Sequence, residues 1–141
     1  MESLKPIGWY LKEADSLITA AFNNAFESLG LTRFHWQLLR NIADNGEIYT
    51  KDYYPQVARF ITPETFRAII TSLTDRDWIS VHNDICRFTA SGADVFASIE
   101  ERQKHIRDKM LEGTDPEDYA HTVLFLDRII QNLKTLPEVQ P

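Results

Sequence analysis

A segment from Pro63 to about Arg76 sets one arginine where it can do chemistry. Its apolar residues Phe66, Ile69, Ile70 and Leu73 recur at helical spacing, which turns Glu64, Thr65, Arg67, Ala68, Thr71 and Ser72 outward. A guanidinium at position 67 can grip a guanine edge or a phosphate with two parallel N–H bonds. It can equally be a solvated charge or the partner of a nearby acid. The hydroxyls of Thr62, Thr65 and Thr71 can bond phosphates or base edges, although Thr62 also reads as a helix cap. Lys51, Arg59, Arg76 and Arg87 are candidate phosphate contacts by charge alone. A second set, Trp9, Phe22, Phe26, Phe34, His35 and Trp36, falls in the first third of the chain. Aromatic residues at helical spacing are first of all packing, but rings beside His35 or Arg40 can also wall a pocket for an aromatic carboxylate. His82, Asp84 and Cys86 share one hairpin but straddle its turn, so no metal site is expected. No Ser/His/Asp or Cys/His set, phosphate loop or paired-carboxylate motif stands out, so neither an enzyme nor a cofactor is expected.

Composition frames these residues. A chain of 141 residues, 43% hydrophobic and 26% charged, suits one compact domain with a real core and excludes global disorder. The single Cys86 can form no internal disulfide. No apolar run approaches the ~20 residues of a membrane helix, and the acidic residues near the N-terminus do not fit a secretory signal. A cytoplasmic protein with no membrane partner is expected. The net charge of -6 argues against bulk electrostatic attraction to nucleic acid, yet residues 50–90 are neutral while both flanks are acidic.

The elements that must hold these side chains follow from periodicity. Pro6 to Leu29 reads as a helix ended by Gly30, and Thr32 caps a second running from Arg33 to about Asp44. Asn45-Gly46 signals a turn, and Thr50 caps a short helix to Ile61. Thr62-Pro63-Glu64 opens the next helix, about two residues beyond that one. Trp78–Val81 and Ile85–Phe88 form a hairpin around His82-Asn83-Asp84. Thr89 to about Leu111 is helical, with Val95, Phe96, Ile99, Ile106 and Met110 inward. Asp115 then caps a last helix to about Leu136. Two helices joined by a short turn and followed by a hairpin make a winged helix-turn-helix, in which the second helix of the pair enters the DNA major groove. The fold class is mainly α.

Three stretches carry a resemblance. Gly30-Leu31-Thr32 with Trp36-Gln37-Leu38-Leu39, then Leu73-Thr74-Asp75-Arg76-Asp77-Trp78-Ile79, then Phe88-Thr89-Ala90-Ser91-Gly92, resemble in order and spacing the MarR (multiple antibiotic resistance regulator) family. The resemblance spans nearly the whole chain. It implies a single MarR-like domain over 1–141, with a winged-helix lobe at 32–89 and dimerisation helices at 1–30 and 90–136. It further implies a homodimer, a double-stranded DNA operator as partner, and repression lifted by a small aromatic or phenolic ligand. On this reading Lys51, Arg59, Thr62, Thr65, Arg67, Ala68, Thr71, Arg76 and Arg87 face DNA, and Trp9, Phe34, His35, Trp36 and Arg40 face the ligand. Leu4, Ile7, Leu11, Val123, Leu126, Ile130 and Leu133 are expected at the dimer interface. Two departures bear on the wing: it is short with only Arg87 as a cation, and Asp77 replaces the usual glycine. Both weaken what the wing brings to the minor groove and leave the helix-turn-helix intact. The acidic total and the reduced wing also fit an alternative, a winged-helix module that pairs with a protein and has lost DNA binding.

Overall fold

The structure, a computed structural model, describes residues 3–137. Among these are six α-helices and a small three-stranded antiparallel sheet, in the order of a mainly α winged helix-turn-helix. The chain divides into two compact units, one up to Ile106 and one from Arg107 onward. No helix of the described residues is long and apolar enough to cross a membrane.

Helix α1 (Ile7–Phe26) starts directly after Pro6 and stops three residues short of the expected end. Glu27–Leu29 tighten into a 3-10 turn because Gly30, at φ 67°, folds its N–H back to the Glu27 carbonyl and Leu31 reaches that of Phe26. Only Phe22 and Phe26 of α1 are buried, and its earlier apolar residues Ile7, Leu11 and Leu17 stay exposed. Helix α2 (Arg33–Asn45) buries His35, Trp36, Leu38, Leu39 and Ile42, while Phe34 is half-buried. Gly46, at φ 81°, ends it.

A two-residue strand, β1 (Ile48–Tyr49), follows where only a turn was expected. It pairs with the wing, Ile48 opposite Cys86 and Tyr49 opposite Ile85. Two residues are too few for the alternation that betrays a strand; pairing makes this one. Helix α3 (Thr50–Val57) has Tyr49, not Thr50, as its cap, and it ends four residues before the expected Ile61. Pro55 lies inside it and supplies no N–H, and the chain turns at Val57, whose carbonyl accepts from both Phe60 and Ile61. The connection to the next helix is therefore Ala58–Thr62, longer than the expected two residues.

Helix α4 (Pro63–Asp75) buries Phe66, Ile69 and Leu73, and Thr62 accepts the Thr65 N–H at 3.1 Å to cap it. The wing is β2 (Ile79–His82) and β3 (Ile85–Phe88), with sheet order β1-β3-β2. Asn83 and Asp84 both take positive φ (52° and 65°), the two-residue turn whose twist suits a hairpin. Helix α5 (Ala90–Met110) enters the core through Ile99 and the partly buried Val95 and Phe96. Met110, expected inward, is exposed; it belongs to the second unit, and the last α5 residue packed on the core of the first is Ile106. Helix α6 (Pro116–Lys134) opens on an Asp115 capping box and buries none of its side chains. In the first unit, Trp36 stacks on Phe96 at 5.1 Å between ring centroids and 7° between planes, joining α2 to α5.

Between α4 and β2 the chain passes a strained point. Asp77 sits at φ 60°, a left-handed conformation costing a side-chain-bearing residue roughly 1 kcal/mol relative to glycine. Asp77→Gly is expected to raise the thermal midpoint by a few degrees. A midpoint that stayed level or fell in a melt followed by circular dichroism would mean that the Asp77 side chain repays the strain.

Candidate functional site

The outward face of α4 is the best-defined surface feature. Thr65, Arg67, Ala68 and Thr71 are all exposed, opposite the buried Phe66, Ile69 and Leu73. The two neighbouring threonines play different parts. Thr62 spends its hydroxyl on the cap, accepting the Thr65 N–H and donating to Thr65 Oγ1 at 3.1 Å, so Thr65 keeps its own proton for an outside acceptor.

The cations of this lobe come with acids attached. Arg67 Nη2 lies 3.7 Å from Glu64 Oε1, and Lys51 Nζ lies 3.6 Å from Asp84 Oδ2 at the wing tip. Arg87 donates from Nε and Nη2 to one Glu47 oxygen, at 3.0 and 2.7 Å. Arg59 is exposed and makes no ion pair among the described residues. Arg76 departs from expectation. It is half-buried, donates from Nη1 to the Leu29 carbonyl and lies over the Trp78 ring at 4.9 Å. Its guanidinium closes the end of α1 against the base of α4, so it is a structural tie and not a free phosphate contact.

Two clefts open beside this face. One, of about 530 Å³, lies between the start of α2 and the start of α4, walled by Phe34, Phe60, Ile61, Ala68 and Ile69, with Asn23, Thr32, His35, Thr62 and Thr65 as its polar groups. The other, of about 610 Å³, lies between α1, α2 and α3. Its apolar walls are Phe34, Trp36, Tyr53, Val57 and Phe60, and Arg33, Gln37, Arg40 and Gln56 supply polar contacts. Arg40 is held by Glu100 at 2.7 Å and by Asp44, and Arg33 by Asp15 and Thr19. Of the five expected ligand residues, Phe34, Trp36 and Arg40 come together in the second cleft. Trp9 lines neither; it is exposed, edge-on to Tyr10 and covered by the Lys5 ammonium.

His35 cannot serve as a cationic anchor. Its Nδ1 accepts from the Thr32 N–H at 3.1 Å and from Thr32 Oγ1 at 2.9 Å, closing a capping box with histidine in the usual glutamate place. Burial first, and the Arg76 charge second, lower its pKa to about 4. Cys86 is fully buried, and burial followed by the Asp84 charge pushes its thiol up to about 11, which disfavours the thiolate that a nucleophile or metal ligand needs. His82 and Asp84 are exposed, and among the described residues no three His, Cys, Asp or Glu side chains cluster as a metal would need. The sequence reading passed over Phe60, Arg33, Gln37, Tyr53 and Gln56. Phe60 gave no usable signal, because the sequence places it inside the helix expected to reach Ile61; the structure puts it in the turn after α3, 68% exposed and shared by both clefts.

No family model matches the sequence, and no curated protein does. Solved structures do match in fold. NadR in complex with 4-hydroxyphenylacetate superposes at a TM-score of 0.77 and 19% identity, over 94% of this chain and all of that one. Bordetella bronchiseptica BpsR, whose DNA binding is regulated by 6-hydroxynicotinic acid, gives 0.73 at 20% identity, covering 92% and 97% of the two chains. The Mycobacterium tuberculosis MarR family protein Rv2887 in complex with DNA gives 0.73 at 16% identity, over 89% and 98%. The chain thus has the winged-helix fold of MarR-family structures.

The His35 cap makes stability depend on pH. An unfolded imidazole titrates near 6.5, well above the folded value, so protonation favours the unfolded chain. The contribution is complete above pH 6.5 and is lost as pH falls through about 4. The thermal midpoint of the protein is expected to drop between pH 6.5 and 5, before most carboxylates titrate. His35→Gln keeps an acceptor for the cap without a titrating ring and should flatten that interval. Equal slopes in the two proteins would remove His35 from the pH response.

Proposed function

We propose that this chain is a homodimeric, sequence-specific DNA-binding regulator, a repressor released by a small aromatic acid, and not an enzyme. The observation that carries the reading is the bare face of α4, set on a helix-turn-helix whose fold matches a DNA-bound structure. Arg67 takes a guanine edge, Thr65 and Thr71 bond bases or phosphates, and Ala68 gives a smooth apolar contact. Lys51, Arg59 and Arg87 meet phosphates. Two of these three, Lys51 and Arg87, must exchange an acid for a phosphate, which lowers the net gain from each contact.

The second cleft fits a flat aromatic acid. Phe34, Trp36 and Phe60 supply ring faces, and Arg40, released from Glu100, pairs with the carboxylate. The ligands named with matching structures, 4-hydroxyphenylacetate, 6-hydroxynicotinic acid and salicylic acid, have that chemistry. The cleft wall includes Gln56, Val57 and Phe60, which lead straight into α4. A ligand that prefers one spacing of that wall therefore biases the placement of the DNA-facing helix. Dimerisation accounts for bare apolar surface on separate helices: Leu4, Ile7, Leu11 and Leu17 at the N-terminal end, and Val123, Leu124, Phe125, Ile130 and Leu133 on α6.

Titrating the protein against the DNA upstream of its own reading frame, over a range of salt, tests the regulator reading. Arg67→Ala is expected to weaken binding by roughly 1–3 kcal/mol and to relax one base position. Salicylate should release the wild-type complex and leave the Arg40→Ala complex in place. Salt-insensitive or absent binding of the wild type would sink the reading. Light scattering at micromolar concentration checks the dimer, with twice the chain mass expected; a single-chain mass would exclude it.

A further inference from the structure

Resting on the reading of α4 as the DNA-facing helix, we infer that Glu64 is a specificity residue, selecting a cytosine next to the base read by Arg67. Glu64 is the second residue of α4, directly after the Thr62 cap and Pro63. Residues at the start of a recognition helix reach the base edges. Its side chain is 75% exposed, and its one charged partner among the described residues, Arg67, stays at 3.7 Å, beyond hydrogen-bonding distance. An exposed pair of this kind adds only a few tenths of a kcal/mol to a helix. Nor does the cap use the carboxylate, because Thr65 occupies the third position, where a capping-box acid would fold back on Thr62.

A carboxylate here is costly for a surface that meets phosphates, unless it finds a donor. In the major groove the base donors are the amino groups of cytosine and adenine, while guanine N7 and O6 and thymine O4 repel it. Among the standard pairings, a carboxylate accepts from cytosine N4 and arginine donates to guanine. The two side chains are three residues apart on one face, about 4.5 Å along the axis, close to the 3.4 Å separation of successive bases. Together they form an acceptor–donor pair that reads two neighbouring base pairs, and Glu64 discriminates by rejection as well as by attraction. It also keeps the lobe from gripping arbitrary DNA through Arg67 alone.

The test is selection from a randomised operator library by the full-length wild type, Glu64→Gln and Arg67→Ala, with each bound pool sequenced. Glu64→Gln is expected to lose discrimination at one position by about fivefold or more. That position should adjoin the one relaxed by Arg67→Ala, and non-specific affinity should not fall. A Glu64→Gln profile identical to the wild type overturns the inference, as does a change confined to the Arg67 position, which would make Glu64 only an orienting group. Stabilisation of the α4 N-terminus by the acid cannot mimic the expected result, since it moves the thermal midpoint and not a single base preference. A wild type that selects no sequence fails the DNA reading itself, a result distinct from altered or unaltered preference in a binding protein.

Discussion

The turn Arg76-Asp77-Trp78, where α4 becomes the wing, is the point on which the rest of the first unit depends. It is held from several directions at once. The Arg76 guanidinium ties it to the Leu29 carbonyl in the 3-10 turn after α1, and the Thr89 hydroxyl donates to the Asp77 carbonyl. The Trp78 carbonyl accepts from the Thr89 N–H, and Gly92 comes so close that a Cβ there would lie 1.7 Å from that oxygen. Asp77 accepts a left-handed backbone to make these bonds possible. A helix seated this way has its azimuth set at its C-terminal end, which leaves Thr65, Arg67, Ala68 and Thr71 bare.

Electrostatics then tunes what that face can do. The lobe is neutral overall, and Lys51, Arg67 and Arg87 each lie beside an acid supplied by a different element or turn. Exposed pairs of this sort contribute little to stability. Their larger consequence is for the proposed DNA reading: a phosphate would have to displace a carboxylate at Lys51 and at Arg87, so weak non-specific attraction and reliance on base chemistry would go together. The same logic applies in the cleft, where Arg40 is already satisfied by Glu100 and the proposed carboxylate ligand would have to out-compete it.

His35 shows how a polar residue reaches the core without becoming a site. It lies at the third position of α2, where its Nδ1 closes the helix cap on Thr32, and the ring is left neutral by burial beside Arg76. Phe34, its half-buried neighbour, is a wall of both clefts. Two successive residues of α2 thus serve different ends, one closing the cap and the other lining the clefts.

Periodicity and cap chemistry in the sequence alone determined the order of the helices, the hairpin, the inward face of α4 and hence the outward Thr65, Arg67, Ala68 and Thr71, because these depend on contacts within a turn or two. The ordered motifs from Gly30 to Gly92 pointed to the fold. What lay beyond the sequence depends on residues far apart in it. Strand β1 exists only because Cys86 and Ile85 come alongside Ile48 and Tyr49. Arg76 could be read as a free cation until Leu29, 47 positions earlier, was brought to it. Trp9 and Trp36 look alike as aromatic residues on helices, yet one is exposed and the other is stacked on Phe96. Local spacing specifies which face of a helix is apolar, and only the packed neighbours decide which polar and aromatic groups are already taken.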